Sequence, residues 1–325
     1  MSTPIPVTLI TGFLGAGKTT LLEHVLKAQT GHRFAVIENE FAGMGIDGLR
    51  MLQPSETLFE LNGGCVCCSV RSDLLAALQQ IAQRRADFDH VIIETTGLAE
   101  PGPVMRLFDR AEIRAPFVLD GVVTVVDAEH LSRSLTEVDA CLEQITYADM
   151  VILNKMDRMT DQGLEAVEIE IGKINPLARI LRAQFGQVDV SDVLEMGGAA
   201  GGMGLGSVDT MTTDSHVHDE AIRAVGLEAQ GNVDLDALDL WLGRLVRRQE
   251  GAVLRMKGMI AVADQPRAFV FNGVRDVVDV KPDRLWIDDK RSCRLVFIGK
   301  GLDAEALQSG LEACMHQATA QTSPA

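Results

Sequence analysis

Val7-Thr8-Leu9-Ile10-Thr11-Gly12-Phe13-Leu14-Gly15-Ala16-Gly17-Lys18-Thr19-Thr20 decides how the rest of the chain is read. An apolar β-type run, Val7 to Ile10, breaks at Gly12. A glycine-rich turn follows, and Thr19 to Ala28 then has the spacing of an amphipathic helix. Within it, Gly12-x-x-x-x-Gly17-Lys18-Thr19 has the spacing and the strand-to-helix setting of a phosphate-binding loop. The glycines let backbone N–H groups curl around a polyphosphate. The helix start adds its positive dipole end. Gly15, Ala16, Gly17, Lys18, Thr19 and Thr20 are the expected phosphate ligands. Lys18 would neutralise the β- and γ-phosphates, and Thr19 would place its hydroxyl on Mg²⁺.

With 325 residues, the chain suits one large domain or two ordinary ones. A 46% hydrophobic and 23% charged composition is that of an ordinary soluble globular protein. The formal net charge of −16 argues against general affinity for nucleic acid or an anionic membrane. No apolar run is long enough to span a bilayer, no signal peptide is expected, and a cytoplasmic location follows. Of the six cysteines, three lie within four residues, which points to metal or redox chemistry rather than a disulfide scaffold.

Apolar strands are expected at Phe34 to Glu38, Val91 to Glu94, Val122 to Val126 and Met150 to Leu153, with a shorter one at Leu58 to Leu61. Helical segments separate them, among them one capped by Ser72 and running to about Arg85, and another over Asp161 to Ile174. This alternation predicts an α/β domain with a mostly parallel sheet and helices on both faces. The glycine-dense run Gly197 to Ser207 reads as a flexible linker. The expected organisation is a nucleotide-binding domain over 1–196, a linker over 197–217, a smaller α+β domain over 218–319 and a frayed tail. In the second domain, strands are expected at Ala221 to Glu228, Val253 to Val262, Ala268 to Val274 and Arg294 to Ile298. Helices are expected at Leu235 to Arg248 and Ala304 to His316.

Three further stretches carry chemistry. Asn154-Lys155-Met156-Asp157 follows an apolar strand. There an Asn and an Asp can read guanine: the carboxylate accepts from N1–H and the exocyclic amine, and Lys155 packs along the base. Adenine presents the opposite pattern at those edges, so GTP is favoured over ATP. Glu94-Thr95-Thr96-Gly97 puts an acid at a strand end, where it can hold Mg²⁺ or position water, and Gly97 can bring its N–H to the γ-phosphate. Cys65-x-Cys67-Cys68 offers thiolates on one side of an extended segment, suited to a soft metal. Three thiols so close form an open site completed from elsewhere, with Glu38 the best further ligand; an open site suits transfer better than storage. His216 and His218 are candidates for an auxiliary arm. Cys141, Cys293 and Cys314 are read as structural.

Thr11-Gly12-Phe13-Leu14-Gly15-Ala16-Gly17-Lys18-Thr19-Thr20, Glu38-Asn39-Glu40-Phe41, Gly64-Cys65-Val66-Cys67-Cys68, Glu94-Thr95-Thr96-Gly97-Leu98-Ala99-Glu100-Pro101 and Asn154-Lys155-Met156-Asp157 together resemble the CobW-type GTPase family, in its YjiA-like branch. The likeness continues through Leu254-Arg255-Met256-Lys257-Gly258 and Leu295-Val296-Phe297-Ile298-Gly299, and so covers nearly the whole chain. It implies a phosphate-loop GTPase and metallochaperone that binds Zn²⁺, with Co²⁺ as an alternative cargo, at Cys65, Cys67 and Cys68. Slow turnover of GTP to GDP would be coupled to delivery to a metal-requiring client protein, and a homodimer is an allowed assembly. Two departures stand out. Gly43 replaces an acid of the family's switch region, and Arg275 replaces a histidine of its second domain. Two readings from other classes are kept beside this one. A zinc buffer or sensor with residual GTPase activity would bind zinc regardless of nucleotide, and a phosphate-loop kinase would prefer ATP.

Overall fold

The computed structural model describes residues 3–28, 31–38, 56–60, 69–197, 222–248, 253–286 and 290–316. It divides into two compact units, Met1–Gly204 and Leu205–Ala325. In the first, β1 (Ile5–Thr11) leads to α1 (Lys18–Ala28), β2 (Phe34–Glu38), β3 (Glu56–Glu60), α2 (Ser69–Gln83) and β4 (His90–Glu94). Then come α3 (Pro101–Met105), α4 (Ala111–Arg114), β5 (Phe117–Asp127), α5 (Leu131–Glu137) and α6 (Asp139–Tyr147). The unit closes with β6 (Met150–Asn154), α7 (Asp161–Ile174), β7 (Arg179–Arg182) and α8 (Val190–Leu194).

The seven strands form one sheet in the order β3-β2-β4-β1-β5-β6-β7. Every pairing in it is parallel. Strands covered on both faces are apolar at nearly every position, which is why β2, β4 and β6 read as unbroken runs rather than alternations. Successive residues of β6 show the two layers. Ile152 packs with Leu21, Leu22 and Val25 of α1 and with Val193 of α8. Val151 and Leu153 pack with Cys141 and Ile145 of α6 and Leu164 and Ile171 of α7.

Two helix details bear on the site. Asn175, just past α7, donates from Nδ2 to the carbonyls of Ile145, Thr146 and Ala148 at 2.8, 3.2 and 2.9 Å. It thereby adds a side-chain donor to the end of α6, where Ile145 O also accepts from Ala148 N–H. α2 begins at Ser69, not at Ser72. Ser69-Val70-Arg71 holds no helix breaker, so the helix extends backward and Ser72 lies inside it rather than at its cap.

The second unit has β8 (Ile222–Gln230), α9 (Leu235–Arg248), β9 (Val253–Ala261), β10 (Arg267–Val274), β11 (Val277–Leu285), β12 (Ser292–Lys300) and α10 (Ala304–Ala313). Its sheet, ordered β11-β10-β9-β12-β8, is antiparallel throughout. Leu238 and Leu242 of α9 and Leu307 and Leu311 of α10 pack with Met256, Phe271 and Phe297 on one sheet face. Trp241 meets Phe297 edge-on at 5.9 Å between ring centroids. Cys293 and Cys314 are buried and free here, as Cys141 is in the first unit. Burial pushes the Cys141 and Cys293 thiols up to about 11 and raises that of Cys314, as befits inert packing residues.

Candidate functional site: a phosphate loop at the strand ends

The loop between β1 and α1 is shaped by glycine. Gly12, Gly15 and Gly17 have φ of +139°, +74° and +105°, a region that L side chains rarely adopt. A Cβ on Gly12 would run into the Val125 carbonyl of β5, and one on Gly17 into the Asn154 side chain. Lys18 opens α1 and is buried, with Nζ 3.2 Å from the Phe13 carbonyl. Burial lowers its pKa, and the charge of Glu94 works against that shift. Thr19 Oγ1 donates to Glu94 Oε1 at 2.9 Å. Two hard oxygen donors meet there, next to the loop lysine, which is the donor chemistry Mg²⁺ requires. Thr20 is exposed on the first turn of α1.

Parallel pairing brings the strand ends to one edge. Glu38, the last residue of β2, is in register with Glu94, the last of β4, and also with Glu60, the last of β3. Glu38 is therefore one strand spacing, about 4.8 Å, from Glu94. Beyond Glu94 the chain is fastened. Thr95 N–H donates to Ile10 O at 3.0 Å, and Thr95 Oγ1 donates to Thr11 Oγ1 at 2.9 Å. Gly97 is buried, and a Cβ there would lie 2.6 Å from Leu14 N.

On the other side of the loop, Asn154 is 2% exposed. Its Nδ2 donates to Ala16 O at 2.9 Å, and its Oδ1 accepts from Gly186 N–H at 3.0 Å. The side chain thus braces the phosphate loop against the turn after β7, where Phe185 and Gly186 both have positive φ. Lys155 takes the left-handed conformation at φ +61° and sends Nζ to Asp127 Oδ2 at 2.7 Å. Burial pushes the Asp127 carboxyl up, but the bonds from Lys155 and His130 outweigh it and hold the group below its usual range. Asp157 is exposed at the mouth of this region.

The structure therefore brings together Gly15, Ala16, Gly17, Lys18, Thr19, Glu94, Gly97 and Asn154 around one loop. Cys65, Cys67, Cys68, His216 and His218 lie outside the described residues. Sequence reasoning missed Asp127, an acid at the end of β5 that the pattern of Glu94 and Asn154 signals. It also missed Gln144, a polar residue on the buried stripe that Cys141 and Ile145 define. A cavity of about 360 Å³ beside Phe13, Leu14 and Gly15 is lined by both, with His130, Arg133 and Lys155.

A parallel sheet with a glycine loop and a Lys-Thr pair at the start of the following helix defines a phosphate-loop nucleotide-binding protein. Residues 6–182 match the CobW/HypB/UreG nucleotide-binding domain, and residues 222–315 match the cobalamin synthesis protein cobW C-terminal domain. The chain belongs to the CobW/HypB/UreG family. It is 32% identical to the zinc chaperone YjiA of Escherichia coli K12, over 94% of this chain and 97% of that one. It is 34% identical to the zinc chaperone CobW of Pseudomonas aeruginosa, over 96% and 92% of the two chains. The crystal structure of Zn(II)-bound YjiA GTPase from E. coli superposes with a TM-score of 0.74 at 28% identity, covering 97% of this chain and 100% of that one.

Proposed function

We propose that this protein is a slow GTPase that carries zinc and releases it to a client protein under nucleotide control. The observation that carries the reading is the register of Glu38 with Glu94, beside the Thr19–Glu94 hydrogen bond. A candidate ligand for the cargo metal sits one strand from a candidate ligand of the nucleotide's own metal. The zinc-chaperone relatives support the cargo, and Cys65, Cys67 and Cys68 are its proposed thiolate ligands. These cysteines fall between Glu60, which neighbours Glu38 in the sheet, and the start of α2 at Ser69. We assign 1–196 to the nucleotide domain, 197–217 to a linker and 218–319 to the C-terminal domain. No helix among the described residues is long and apolar enough to cross a membrane, and we place the protein in the cytoplasm.

Water attacks the γ-phosphorus of GTP, the bond from that phosphorus to the β–γ bridging oxygen breaks, and GDP and inorganic phosphate leave. Backbone N–H groups of Gly15 to Thr20 and the Lys18 ammonium bear the negative charge that builds on the phosphate oxygens. Gly97 N–H faces the γ-phosphate. Thr19 and Glu94 would hold Mg²⁺, which would supply positive charge against the charge building on the phosphate oxygens. Asp157 accepts from guanine N1–H and the exocyclic amine, Lys155 packs along the ring, and Asn154 keeps the loops beneath it in place. The γ-phosphate would order the loop from Asn39 and the cysteine segment, pulling Cys65 and Cys67 into ligand geometry, and its loss would release them.

The test is a zinc titration of the reduced protein in three states: nucleotide-free, with Mg-GDP, and with a non-hydrolysable Mg-GTP analogue. The Cys67→Ala variant runs alongside. Tighter binding in the GTP-like state, lost in the variant, is expected. Equal affinity in all three states would move the assignment to a zinc buffer or sensor, because a nucleotide shifts the metal site only through a difference between its states.

A further inference from the structure

Gln144 lies in α6, outside every sequence motif, and is 1% exposed. Its Nε2 donates to two backbone carbonyls, Gly97 O and Ala99 O, each at 3.1 Å. Carbonyls only accept, so the amide orientation is fixed: nitrogen toward the segment, oxygen away. Oε1 is then buried with no hydrogen-bond partner among the described residues. Such an orphan acceptor costs stability, and the two bonds donated from the other side of the amide offset that cost.

The backbone of the same residue is also engaged, since Gln144 O accepts from Thr124 Oγ1 at 2.7 Å. Thr124 is the register partner of Thr11 in β1, and Thr11 Oγ1 accepts from Thr95. The segment after Glu94 is thus closed into a ring. Its start is tied to β1 through Thr95, and its middle to α6 through Gln144. The helix and β1 are joined in turn through β5. Within that ring Gly97 is pressed onto Leu14 of the phosphate loop so closely that no Cβ fits.

We propose that Gln144 is a positioning residue for recognition of the γ-phosphate. Resting on the GTPase reading above, this assigns Gln144 to holding the Gly97–Ala99 backbone against the phosphate loop before nucleotide arrives. The Gly97 N–H is then preset where the third phosphate lies. GDP does not reach that far, so Gln144 separates GTP from GDP without touching either. The ordering cost of the segment is met in the free protein, and the γ-phosphate contact is strengthened by that amount.

Gln144→Met keeps the length of the side chain and removes both donors. Removal of the orphan oxygen offsets part of the cost of leaving the Gly97 and Ala99 carbonyls without this partner. Far-UV circular dichroism and thermal unfolding check that the variant is folded. Affinities for a fluorescent GDP and a fluorescent non-hydrolysable GTP analogue, both with Mg²⁺, are compared with wild type. Amide exchange over residues 96–100 is measured without nucleotide. The expected result is GDP affinity close to wild type, GTP-analogue affinity down about tenfold, and faster exchange in the segment. Equal loss for both nucleotides, or no loss for either, overturns the assignment, as does unchanged exchange. A wild-type protein that binds no guanine nucleotide would instead overturn the GTPase reading itself.

Discussion

Thr19 Oγ1 and Glu94 Oε1 lie 2.9 Å apart, one at the start of α1 and the other at the end of β4, 75 positions away in sequence. The pairing of β1 with β4 brings them together, Ile10 standing opposite Glu94. Removing the hydroxyl with Thr19→Ala takes away one oxygen donor and leaves the carboxylate without that partner. GTP hydrolysis should fall by about a hundredfold or more, with the Mg²⁺ concentration for half-maximal rate raised. A steady-state assay across a magnesium series checks this, and an unchanged magnesium dependence would remove Thr19 from the site.

Gly17→Ala places a methyl group against Asn154 at a φ of +105°. Both the strain and the displaced brace act on the phosphate loop, and a cost of roughly 1–3 kcal/mol in stability is expected. Affinity for GDP and for GTP should fall together. Thermal unfolding and nucleotide titration read the two effects separately.

Asp157→Asn changes an acceptor pair into a mixed donor and acceptor while leaving an exposed position otherwise intact. Guanine then keeps an acceptor for its N1–H but faces a donor with its exocyclic amine, whereas xanthine, which carries a carbonyl in place of that amine, accepts from the new donor. Preference should shift from GTP toward XTP. A competition titration decides it, and retained preference for GTP would show that Asp157 does not read the base.

His90 is buried in β4, its Nε2 2.9 Å from Thr8 Oγ1, and burial, aided by the nearby His32, lowers its pKa to about 4. The folded protein keeps the ring neutral while the unfolded chain takes up a proton near its ordinary 6.5. Stability from this group is therefore complete above pH 6.5 and declines as pH falls toward 4. The total loss is on the order of 3 kcal/mol. Urea unfolding at pH 7.5, 6 and 5 should show the decline, and His90→Gln should flatten it.

Asn175→Ala removes three hydrogen bonds to the end of α6 at a residue 1% exposed. Ile145 O keeps Ala148 N–H, but the Thr146 and Ala148 carbonyls lose this donor, which should cost about 1–3 kcal/mol. A denaturant midpoint lowered with an unchanged slope is the expected signature.

The central strands were legible because burial on both faces writes an apolar run: β2 falls on Phe34–Glu38 and α7 on Asp161–Ile174, as the pattern predicts. The two missed strands, β7 and β11, each lie at a sheet edge, whereas the edge strands β3 and β8 were expected. β7 is Arg-Ile-Leu-Arg, and β11 runs through Asp279, Lys281, Pro282 and Asp283. An edge strand needs only one partner, tolerates a proline and is protected by charge, so it can dispense with an apolar signature, as these two do. Within the site, the glycines and Lys18 were legible because their roles are local. The bracing by Asn154 was not, since it depends on Ala16 and Gly186 arriving from distant segments. The roles of Asp127 and Gln144 likewise come from cross-chain partners rather than from spacing.

The order of the strands has a consequence for synthesis. β1 carries the phosphate loop and is made first, yet its neighbours in the sheet are β4 and β5, and the loop's brace comes from Asn154 and Gly186. On a ribosome, the nascent chain displays Gly12 to Thr20 long before anything can hold that segment in shape. Non-local pairing of this kind is slow to form. A half-made chain should therefore be unable to capture nucleotide, and the capacity should appear abruptly once the turn at Phe185-Gly186 has left the exit tunnel.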